Sequence, residues 1–426
     1  MVDKPRTHLR WRLCGLLFIG MSVQSLDRVN LSAALPIMSK AFHISPALDG
    51  VILSGFFWSY AICNIPAGYI VDRLRPRRAF TIIGIWWSLI TLLTAAANGF
   101  ASLFALRALL GVGQAGDFPA AAATVGEWFP KAERGLASGI YSVGNDGGAL
   151  IALPLSVFLL IHFGWPSVFI GCAVIGLAWT LAWWAFYHPP AIHQHVTAEE
   201  RAYIEADSLP TAGTDQPKRR WLDLLAYRRT WALIIGYFCY PYLYGFFLTW
   251  LPTFLVRAQH FSLAQMGIYG SFPAFFAVIA GGLGGKWSDV LNQRFGSIDI
   301  ARKVPIAVGM TVGSLGLIGV ALSHSPAMVI ALLTLTAFSM RLAYGAIWSL
   351  PVDVSPGRAY TASISGLMNA AGNFGGGVIA PIVTGVLVAV THSFVLPLVA
   401  ASIVALLGMC SFLFLLGHIE PLWQQQ

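Results

Sequence analysis

Six charged residues interrupt segments of this chain that are otherwise long and apolar. They are Asp27, Arg28, Arg107, Asp117, Asp146 and Arg341. A charged side chain at the centre of a bilayer costs about 2.5–3.5 kcal/mol on insertion scales, so it normally faces a cavity and has a partner there. These residues are therefore candidates for binding a charged solute and for carrying a proton.

Asp27 and Arg28 lie more than halfway along the first apolar segment. Adjacent helix residues differ by about 100° around the axis, so both can border one cavity without facing each other. We interpret Arg28 as a ligand for a substrate carboxylate and Asp27 as a titrating carboxylate beside it. The alternative interpretation is a buried structural ion pair.

The fourth apolar segment carries Arg107, Gln114 and Asp117. Arg107 and Gln114 share a helix face, and Arg107 lies only about 8 Å below the predicted outer surface. Arg107 could therefore line a cavity, or its side chain could extend to the outer headgroups. Asp117 lies about 22 Å in, one helical turn beyond Gln114.

Arg341 lies in the tenth segment, about 22 Å below the predicted outer surface, which is similar to the depth of Asp117. We predict an ion pair between Asp117 and Arg341 across a cavity, whereas pairing of Arg341 with backbone carbonyls at a helix break is the alternative. Asp146 follows Asn145 in a glycine-rich stretch, where glycines favour close helix packing. Asp146 could bond a neighbouring helix or titrate.

The elements that position these residues are predicted to be membrane-spanning helices. Only 10% of the 426 residues are charged, 57% are hydrophobic and the mean hydropathy is +0.70. Segments of about 20 apolar residues, the length that spans hydrocarbon, recur along the chain. We predict twelve of them, at 13–37, 48–70, 79–98, 102–127, 136–161, 165–187, 231–255, 264–286, 304–322, 326–350, 360–389 and 392–416.

The basic residues predict the orientation. With both termini in the cytoplasm, 21 of the 26 lysines and arginines fall on the cytoplasmic side. The opposite orientation would invert the positive-inside bias. The net charge of +8 is thus explained by topology and does not indicate a nucleic-acid partner.

Two patterns recur along the chain. Gly68 and Asp72, followed by Arg73 and further arginines, return 217 residues later as Gly285 and Asp289. A second set returns 227 residues later: Ser138, Gly139, Gly148 and Pro154 match Ser365, Gly366, Gly375 and Pro381. Internal repeats of membrane segments interrupted by glycine and proline are typical of alternating-access transporters.

The predicted fold is an all-α integral membrane protein of two pseudo-symmetric six-helix bundles. The predicted bundles are residues 1–187 and 231–426, joined by a cytoplasmic loop, 188–230. The loop contains one short surface helix, for which Thr197 is the expected cap. His193 and His195 of this loop could suggest a metal site, but two spaced histidines are more often simply polar.

The sequence contains none of the residue patterns that are typical of common enzyme active sites. We find no Ser/His/Asp grouping, no phosphate-binding glycine loop and no zinc-ligand spacing. The five cysteines lie in apolar segments without metal-ligand spacing and are interpreted as packing residues. We therefore expect no enzyme activity, no cofactor and no metal.

With its apolar segments, internal repeats and basic turns, the whole chain resembles the major facilitator superfamily. The stretch from Gly68 to Arg78 resembles the family's signature after helix 2, although Arg75 stands where the family prefers glycine. Other motifs resemble its anion:cation symporter family, which includes sugar-acid transporters. They are Asp27-Arg28-x-Asn30, Trp58-x-Tyr60, Trp128-Phe129-Pro130 with Glu133-Arg134, Phe247-x-Thr249-Trp250-x-Pro252, and Trp348 followed by Ser365-Gly366-x-x-Asn369.

This resemblance implies a proton-coupled importer of a small organic anion, a sugar acid or another carboxylate. Arg28 would bind the carboxylate and Asp27 would couple protons. Residues at the family's cavity-lining positions are Tyr60, Arg107, Tyr141, Asn145, Trp348 and Asn369. Asp72 with Arg73, and Asp117 with Arg341, are the predicted gating residues. The implied partners are the substrate, protons and the lipid bilayer, with a monomer in a bacterial inner membrane.

Gln114 is also a predicted substrate-binding residue, but it departs from the family pattern, which often has a protonatable glutamate there. Since glutamine cannot titrate, Asp117 could take that role, Asp27 could act alone, or coupling could be absent. The alternative function is therefore an organic-anion uniporter or exchanger. A drug–proton antiporter is disfavoured because Gly144-Asn145 replaces the glycine-proline signature. An organophosphate exchanger is disfavoured because 236–256 contains no basic residue, and a receptor because no large soluble domain follows His418.

Overall fold

The computed structural model describes residues 9–205, 221–355 and 361–422. Within these ranges it is helical and contains no strand. The helices are α1 (Leu9–Ala41), α2 (Pro46–Thr94), α3 (Phe100–Gln114), α4 (Asp117–Trp128), α5 (Lys131–Phe163), α6 (Trp165–Phe186), α7 (Ala198–Glu205), α8 (Arg228–Thr249), α9 (Leu251–Arg257), α10 (Leu263–Tyr269), α11 (Phe272–Phe295), α12 (Ile298–Leu322), α13 (Pro326–Val354), α14 (Thr361–Gly372), α15 (Ala380–Thr391) and α16 (Val395–Cys410). A 3-10 turn, Trp221–Ala226, precedes α8, and π-helical turns follow α14 (Asn373–Ile379) and α16 (Ser411–Leu415).

Nine segments of the described ranges are long and apolar enough to cross a bilayer. They are Pro46–Asn64, Leu136–Phe163, Trp165–Phe186, Arg228–Thr249, Leu263–Phe295, Ile298–Leu322, Pro326–Val354, Ile364–Thr391 and Val395–Leu415. Their outer faces carry many exposed large hydrophobic side chains, which only a lipid environment accommodates in such number. The chain is therefore an all-helical, multi-pass integral membrane protein.

Several helices are interrupted inside a predicted segment. The predicted segment 102–127 is divided into α3 and α4 at Ala115 and Gly116. The predicted segments 48–70 and 79–98 are both parts of α2, which is kinked at Arg75 (φ 61°, ψ 157°). The positive φ turns the chain without a long loop.

The chain forms two compact units. Unit 1 comprises Met1–Leu31 and Ser59–Pro217, and unit 2 comprises Ser32–Trp58 and Lys218–Gln426. The helices α1 and α2 therefore each contribute to both units. The bundle boundaries predicted at 187 and 231 stay a prediction.

Unit 1 contains a column of stacked aromatic rings between α2 and α6. Trp87 stacks on Trp179, with ring centroids 5.5 Å apart, and Trp179 stacks on Trp183 at 5.7 Å. Trp183 in turn stacks on Tyr187 at 4.4 Å. Such rings bury a large apolar area with defined geometry, so the column fixes α6 against α2.

Glycines at equivalent places in the two halves allow helix backbones to touch. A β-carbon at Gly148 on α5 would overlap the carbonyl oxygen of Ser22 on α1. Gly375, 227 residues later, lies in the same way against the carbonyl oxygen of Phe238 on α8. Only glycine permits this approach, so the sequence repeat corresponds to repeated helix packing.

The short helix α7 is docked onto unit 1 by buried charges. Its first turn is capped by Thr197, whose hydroxyl accepts a hydrogen bond from the Glu200 amide at 3.2 Å, which confirms the predicted cap. Arg10 at the start of α1 is 1% exposed and donates to Glu133 at 2.8 Å and to Glu200 at 3.0 Å. Burial alone would lower the pKa of Arg10, but the hydrogen bonds and charges of these two acids raise it.

In unit 2 the hairpin formed by Ser32–Trp58, hereafter the outer hairpin, packs on the C-terminal helices. Asp49, fully buried, lies 3.4 Å from the Arg257 guanidinium at the end of α9 and accepts a short hydrogen bond from Ser39. A β-carbon at Gly50 would overlap the carbonyl oxygen of Pro381 on α15. An ion pair and direct backbone contact thus join the outer hairpin to the rest of unit 2.

Candidate functional site

Arg28 on α1 is contacted by a neutral amide and by an aromatic ring. Its Nε donates to the amide oxygen of Gln114 at 3.2 Å, and its guanidinium lies 5.0 Å from the ring centre of Tyr60. Gln114 lies at the end of α3, and both Gln114 and Tyr60 are buried. A neutral amide and an aromatic face orient the guanidinium but supply no full negative charge.

Arg107 braces α1 from α3. Its two terminal nitrogens donate to the backbone carbonyl of Asp27 and to the side-chain oxygen of Asn30, both at 2.9 Å. The side chain is 5% exposed and is directed at α1, not at the outer headgroups. Arg107 therefore positions the segment that carries Asp27 and Arg28.

Asp27 is fully buried within this network. The amide of Asn30 donates to Oδ1 of Asp27 at 3.4 Å, a long hydrogen bond. Thr91 of α2 and the positive charge of Arg107 on α3 both interact with the carboxylate. Asp27 is thus enclosed by α1, α2 and α3.

Asp117, the first residue of α4, is fully buried and faces Gln24 on α1. Among the residues that the structure describes, neither of its carboxylate oxygens has a hydrogen-bond partner of ordinary geometry. The positive charge of Arg28 and the carboxylate of Asp27 both act electrostatically on Asp117, with opposite signs. The break between α3 and α4 brings Asp117 to this position, one turn from Gln114.

In unit 2 an aromatic cluster surrounds Arg341. The guanidinium lies over the Tyr344 ring, 4.1 Å from its centre. Trp348 donates its indole N–H to the Tyr237 hydroxyl at 3.0 Å, and Tyr237 stacks on Tyr240. The cluster combines one cation with several ring faces and hydroxyls, which suits an organic anion.

The remaining predicted lining residues are distributed over both units. Tyr141 of α5 is buried against Phe118, and the buried Oδ1 of Asn145 has no hydrogen-bond partner in the described part of the chain. Asn369 of α14 accepts a hydrogen bond from Asn373 through its backbone oxygen. Tyr141 and Asn145 lie on α5, which also carries the Gly148 contact, and Asn369 lies on α14, just before the turn that carries the Gly375 contact.

The predicted gating residues are described only in part. Arg73 is exposed, whereas the side chain of Asp72, like that of Asp146, lies outside the described residues. Asp117 belongs to unit 1 and Arg341 to unit 2, so their pairing stays a prediction. No cluster of three or more potential metal ligands occurs in the ranges that the structure covers.

Two residues of these clusters were not singled out from the sequence. Gln24, three residues before Asp27, shares its helix face and faces Asp117. Tyr237 joins Trp348 to Tyr240 in unit 2. The sequence did contain a signal for Gln24, because it is a polar residue in an apolar segment, one helical turn from Asp27. Nothing in the sequence distinguished Tyr237 from the neighbouring tyrosines.

Comparison with known proteins identifies relatives along the whole chain. The probable sulfoacetate transporter of Cupriavidus necator is 31% identical over 418 residues, which cover 97% of this chain and 95% of that protein. The probable galactarate/D-glucarate transporter of Escherichia coli K12 is 31% identical over 440 residues, covering 99% and 98%. The D-galactonate transporter of Escherichia coli O6:H1 is 31% identical, covering 95% of each chain.

A solved structure shares the fold. It is the crystal structure of a bacterial homolog to the human lysosomal transporter Spinster, in an inward-facing and occupied conformation. The TM-score is 0.79 and the match covers 97% of each chain, at 19% sequence identity. The family model described as Major Facilitator Superfamily matches residues 17–381.

Proposed function

Because the chain belongs to the Major Facilitator Superfamily, we propose that it imports a small organic anion by proton symport with alternating access. It is a transporter and not an enzyme. The proposed topology has twelve transmembrane helices in two six-helix bundles with both termini in the cytoplasm. The proposed location is the inner membrane of a bacterium, where the protein acts as a monomer.

The observation that carries the proposal is the buried arginine site of unit 1. Arg28 is oriented by Gln114 and Tyr60, and neither brings a full negative charge. A guanidinium can grip a carboxylate through two parallel hydrogen bonds. Arg28 is therefore the anchor for the substrate carboxylate, and Arg107 keeps α1 in place behind it.

The proposed substrate class is a sugar acid or a comparable small carboxylate. Around Arg28 lie amide and phenol groups, including Gln114 and Tyr60, which suit hydroxyl groups of a polar solute. The relatives described above are named as transporters of sulfoacetate, galactarate and D-glucarate, and D-galactonate. All four compounds are small, polar and anionic at neutral pH, as this site requires.

Asp117 is the proposed proton carrier. It is fully buried and receives no ordinary hydrogen bond from a described residue. A carboxylate without donors is costly to bury as an anion and much less costly as a neutral acid. Asp117 thus takes the role of a glutamate at position 114, with Asp27 as the second carboxylate near the arginines.

Substrate and proton are coupled through Arg28 in this proposal. In the empty site the cation of Arg28 stabilises the negative charge of Asp117. An anion bound to Arg28 offsets that cation, so proton uptake by Asp117 becomes more favourable. The loaded site then carries substrate and proton together, and release of one favours release of the other.

A second candidate function is uniport or exchange of the same anions without proton coupling. The observation that favours it is Gln114, which accepts a hydrogen bond from Arg28 but cannot bind a proton at neutral pH. In this case Asp27 and Asp117 keep their charge state throughout the cycle.

Uptake into proteoliposomes tests the proposal. We expect an inside-alkaline pH gradient to drive accumulation of at least one of sulfoacetate, galactarate, D-glucarate and D-galactonate. Asp117→Asn should abolish this accumulation but retain exchange of labelled substrate, because a neutral amide cannot release a proton. The matched control is Asp223→Asn, the same change at an exposed site outside the cluster.

The alternatives give different results in the same assay. Loss of accumulation in Asp27→Asn together with normal accumulation in Asp117→Asn would assign coupling to Asp27. Exchange without pH-driven accumulation in the unmodified protein would establish the second candidate function. Absence of both accumulation and exchange for all four anions would reject the proposed substrate class.

A further inference from the structure

A groove runs along one side of α1 in unit 1, next to the end of α6. Its volume is about 740 Å³. Apolar residues of α1, including Leu13, Leu16 and Ile19, form its length together with Phe186 of α6, and Arg12, His193 and His195 lie at one end. Among the residues that the structure describes, none that lines the groove is acidic. No step of the proposed transport cycle uses this groove.

The groove lies on the side of α1 away from the substrate site. Ile19 precedes Arg28 by nine residues, and at about 100° per residue this places them on opposite sides of the helix. Ile19 is 51% exposed and Phe186 is 66% exposed, in contrast to the buried residues around Arg28. In a membrane-spanning unit, such an apolar exposed face is a face toward lipid.

The polarity of the groove changes along its length. Arg12 and Ile19 are seven residues apart, which corresponds to about 10 Å along the helix axis. Arg12 and His195 are exposed at one end, whereas Leu16 and Ile19 line the other. This change from a cationic end to an apolar end matches the polarity of a phospholipid, whose phosphate headgroup is followed by apolar acyl chains.

His193 shapes the polar end without carrying charge. Its Nδ1 accepts a hydrogen bond from the backbone N–H of His195 at 3.2 Å, so the 3.3 Å contact of Nε2 with the Phe186 carbonyl is a donated one. Burial lowers the pKa of His193, which agrees with this neutral form. Arg12 therefore supplies the permanent positive charge, and the exposed imidazole of His195 supplies a further hydrogen-bonding group.

We propose that this groove binds one anionic phospholipid of the adjacent leaflet, the cytoplasmic one in the proposed topology. The phosphate lies against Arg12 and His195, and an acyl chain passes Phe186 and follows Leu16 to Ile19. The acid-free lining and the cationic end complement an anionic headgroup, and the exposed apolar trough complements a hydrocarbon chain.

Native mass spectrometry of the purified full chain tests the lipid site. The protein is mixed with equal amounts of phosphatidylglycerol and phosphatidylcholine that have the same acyl chains. We expect a roughly fivefold preference for phosphatidylglycerol in the first bound lipid, the effect of about one basic residue near an anionic headgroup. Arg12→Gln should remove this preference, and Ile19→Trp should reduce the binding of both lipids by filling the trough.

Two controls distinguish a built site from general attraction. Arg294→Gln makes the same charge change at an exposed arginine near the end of α11 and should leave the preference unchanged. A melting curve reports on the folding of each variant, independently of which anion the protein transports.

Three results on headgroup preference would overturn the lipid site. They are no preference in the unmodified protein, retention of the preference in Arg12→Gln, and an equal loss of preference in Arg294→Gln. Competition by glycerol 3-phosphate as strong as that by the whole lipid would identify a soluble phosphate as the ligand and would also reject the lipid. If Ile19→Trp binds lipid normally and melts normally, the acyl chain does not lie in this groove.

Discussion

At the scale of single residues, Arg28 is the group whose geometry matters most for substrate binding. Lysine in its place keeps the charge but loses the planar fork, and it cannot donate to Gln114 and a carboxylate in the same arrangement. Gln114, Tyr60 and Arg107 would then orient a segment that no longer carries a two-pronged donor. Charge alone is therefore not expected to rescue binding.

We predict that Arg28→Lys weakens binding of D-glucarate, or of whichever of the four anions the unmodified protein binds, by roughly tenfold to a hundredfold. This is the size expected for losing a charge-assisted hydrogen bond. Ligand-induced thermal shifts measure the affinity. Arg78→Lys, at an exposed position of α2, is the matched control. Near-normal affinity in Arg28→Lys would show that Arg28 does not hold the carboxylate.

Arg75, which stands where the family prefers glycine, has a strained backbone conformation. Its φ of 61° and ψ of 157° lie in a region that is populated almost only by glycine. The kink in α2 therefore requires a conformation that arginine adopts only at a cost. Glycine at this position would avoid that cost.

We predict that Arg75→Gly stabilises the protein by about 1 kcal/mol, since a residue in such a region costs about 1–3 kcal/mol and glycine also increases the entropy of the unfolded chain. Arg75→Ala should bring no such gain, because it removes the charge and keeps the Cβ. Arg78→Gly, in the helical part of α2, should destabilise by about as much. The midpoints of thermal unfolding compare the three variants. Equal effects of Arg75→Gly and Arg75→Ala would contradict the argument from backbone strain.

At the scale of elements, the outer hairpin is joined to α9 and α15 by unequal partners. Asp49 is fully buried, whereas about a third of the Arg257 side chain is exposed. Ser39 still donates to Asp49 if Arg257 is removed, but the charge of Asp49 then lies buried without a cation. Removal of Asp49 leaves only a partly exposed arginine that water can reach.

We therefore predict an asymmetric double-mutant cycle. Arg257→Gln should destabilise by about 1–3 kcal/mol, the cost of leaving a buried charged group unsatisfied, and Asp49→Asn by clearly less. The double variant should be close to Asp49→Asn alone. Denaturation in detergent measures the free energies of unfolding.

Accessibility gives an independent measurement of the same contact. In a cysteine-free background, Ser54→Cys lies at a buried position of the outer hairpin. An impermeant maleimide should label it faster in Arg257→Gln than in the parent protein. The control is Asp353→Asn, which breaks the pair with Arg302 elsewhere in unit 2. Equal labelling in all three proteins would show that the ion pair does not hold the outer hairpin in place.

At the scale of the whole molecule, hydropathy and repeats predict the helical membrane fold well. Apolar length depends on composition alone, so α5, α6 and α12 begin and end within a few residues of their predicted segments, apart from the first turns of α5 and α12. The 227-residue repeat was visible because glycine contacts such as those of Gly148 and Gly375 require the residue type itself. Charged positions inside apolar segments likewise indicated the residues around Arg28.

What could not be predicted depends on contacts that are distant in the chain. Hydropathy does not show that Asp49 would meet Arg257, because each lies near the end of an apolar segment where charges are common. Arg107 donates to Asn30 and to a backbone carbonyl of α1 because of the way α3 is rotated about its axis, and the sequence alone does not determine this rotation. The break at Gly116, which positions Asp117, was marked only by Pro119 in the first turn of α4, and a continuous membrane-spanning helix can also contain a proline.

The composition of unit 2 has a consequence for how the protein is made. The outer hairpin is synthesised early, but Arg257 follows Asp49 only after 208 further residues, and α15 later still. At about 5–20 residues per second, the ribosome needs about 10–40 seconds to reach Arg257. During that time Asp49 of the outer hairpin lacks the arginine that pairs with it in the folded protein. Nascent chains therefore pass through a stage in which the first helices are present without the carboxy-terminal helices of the same unit.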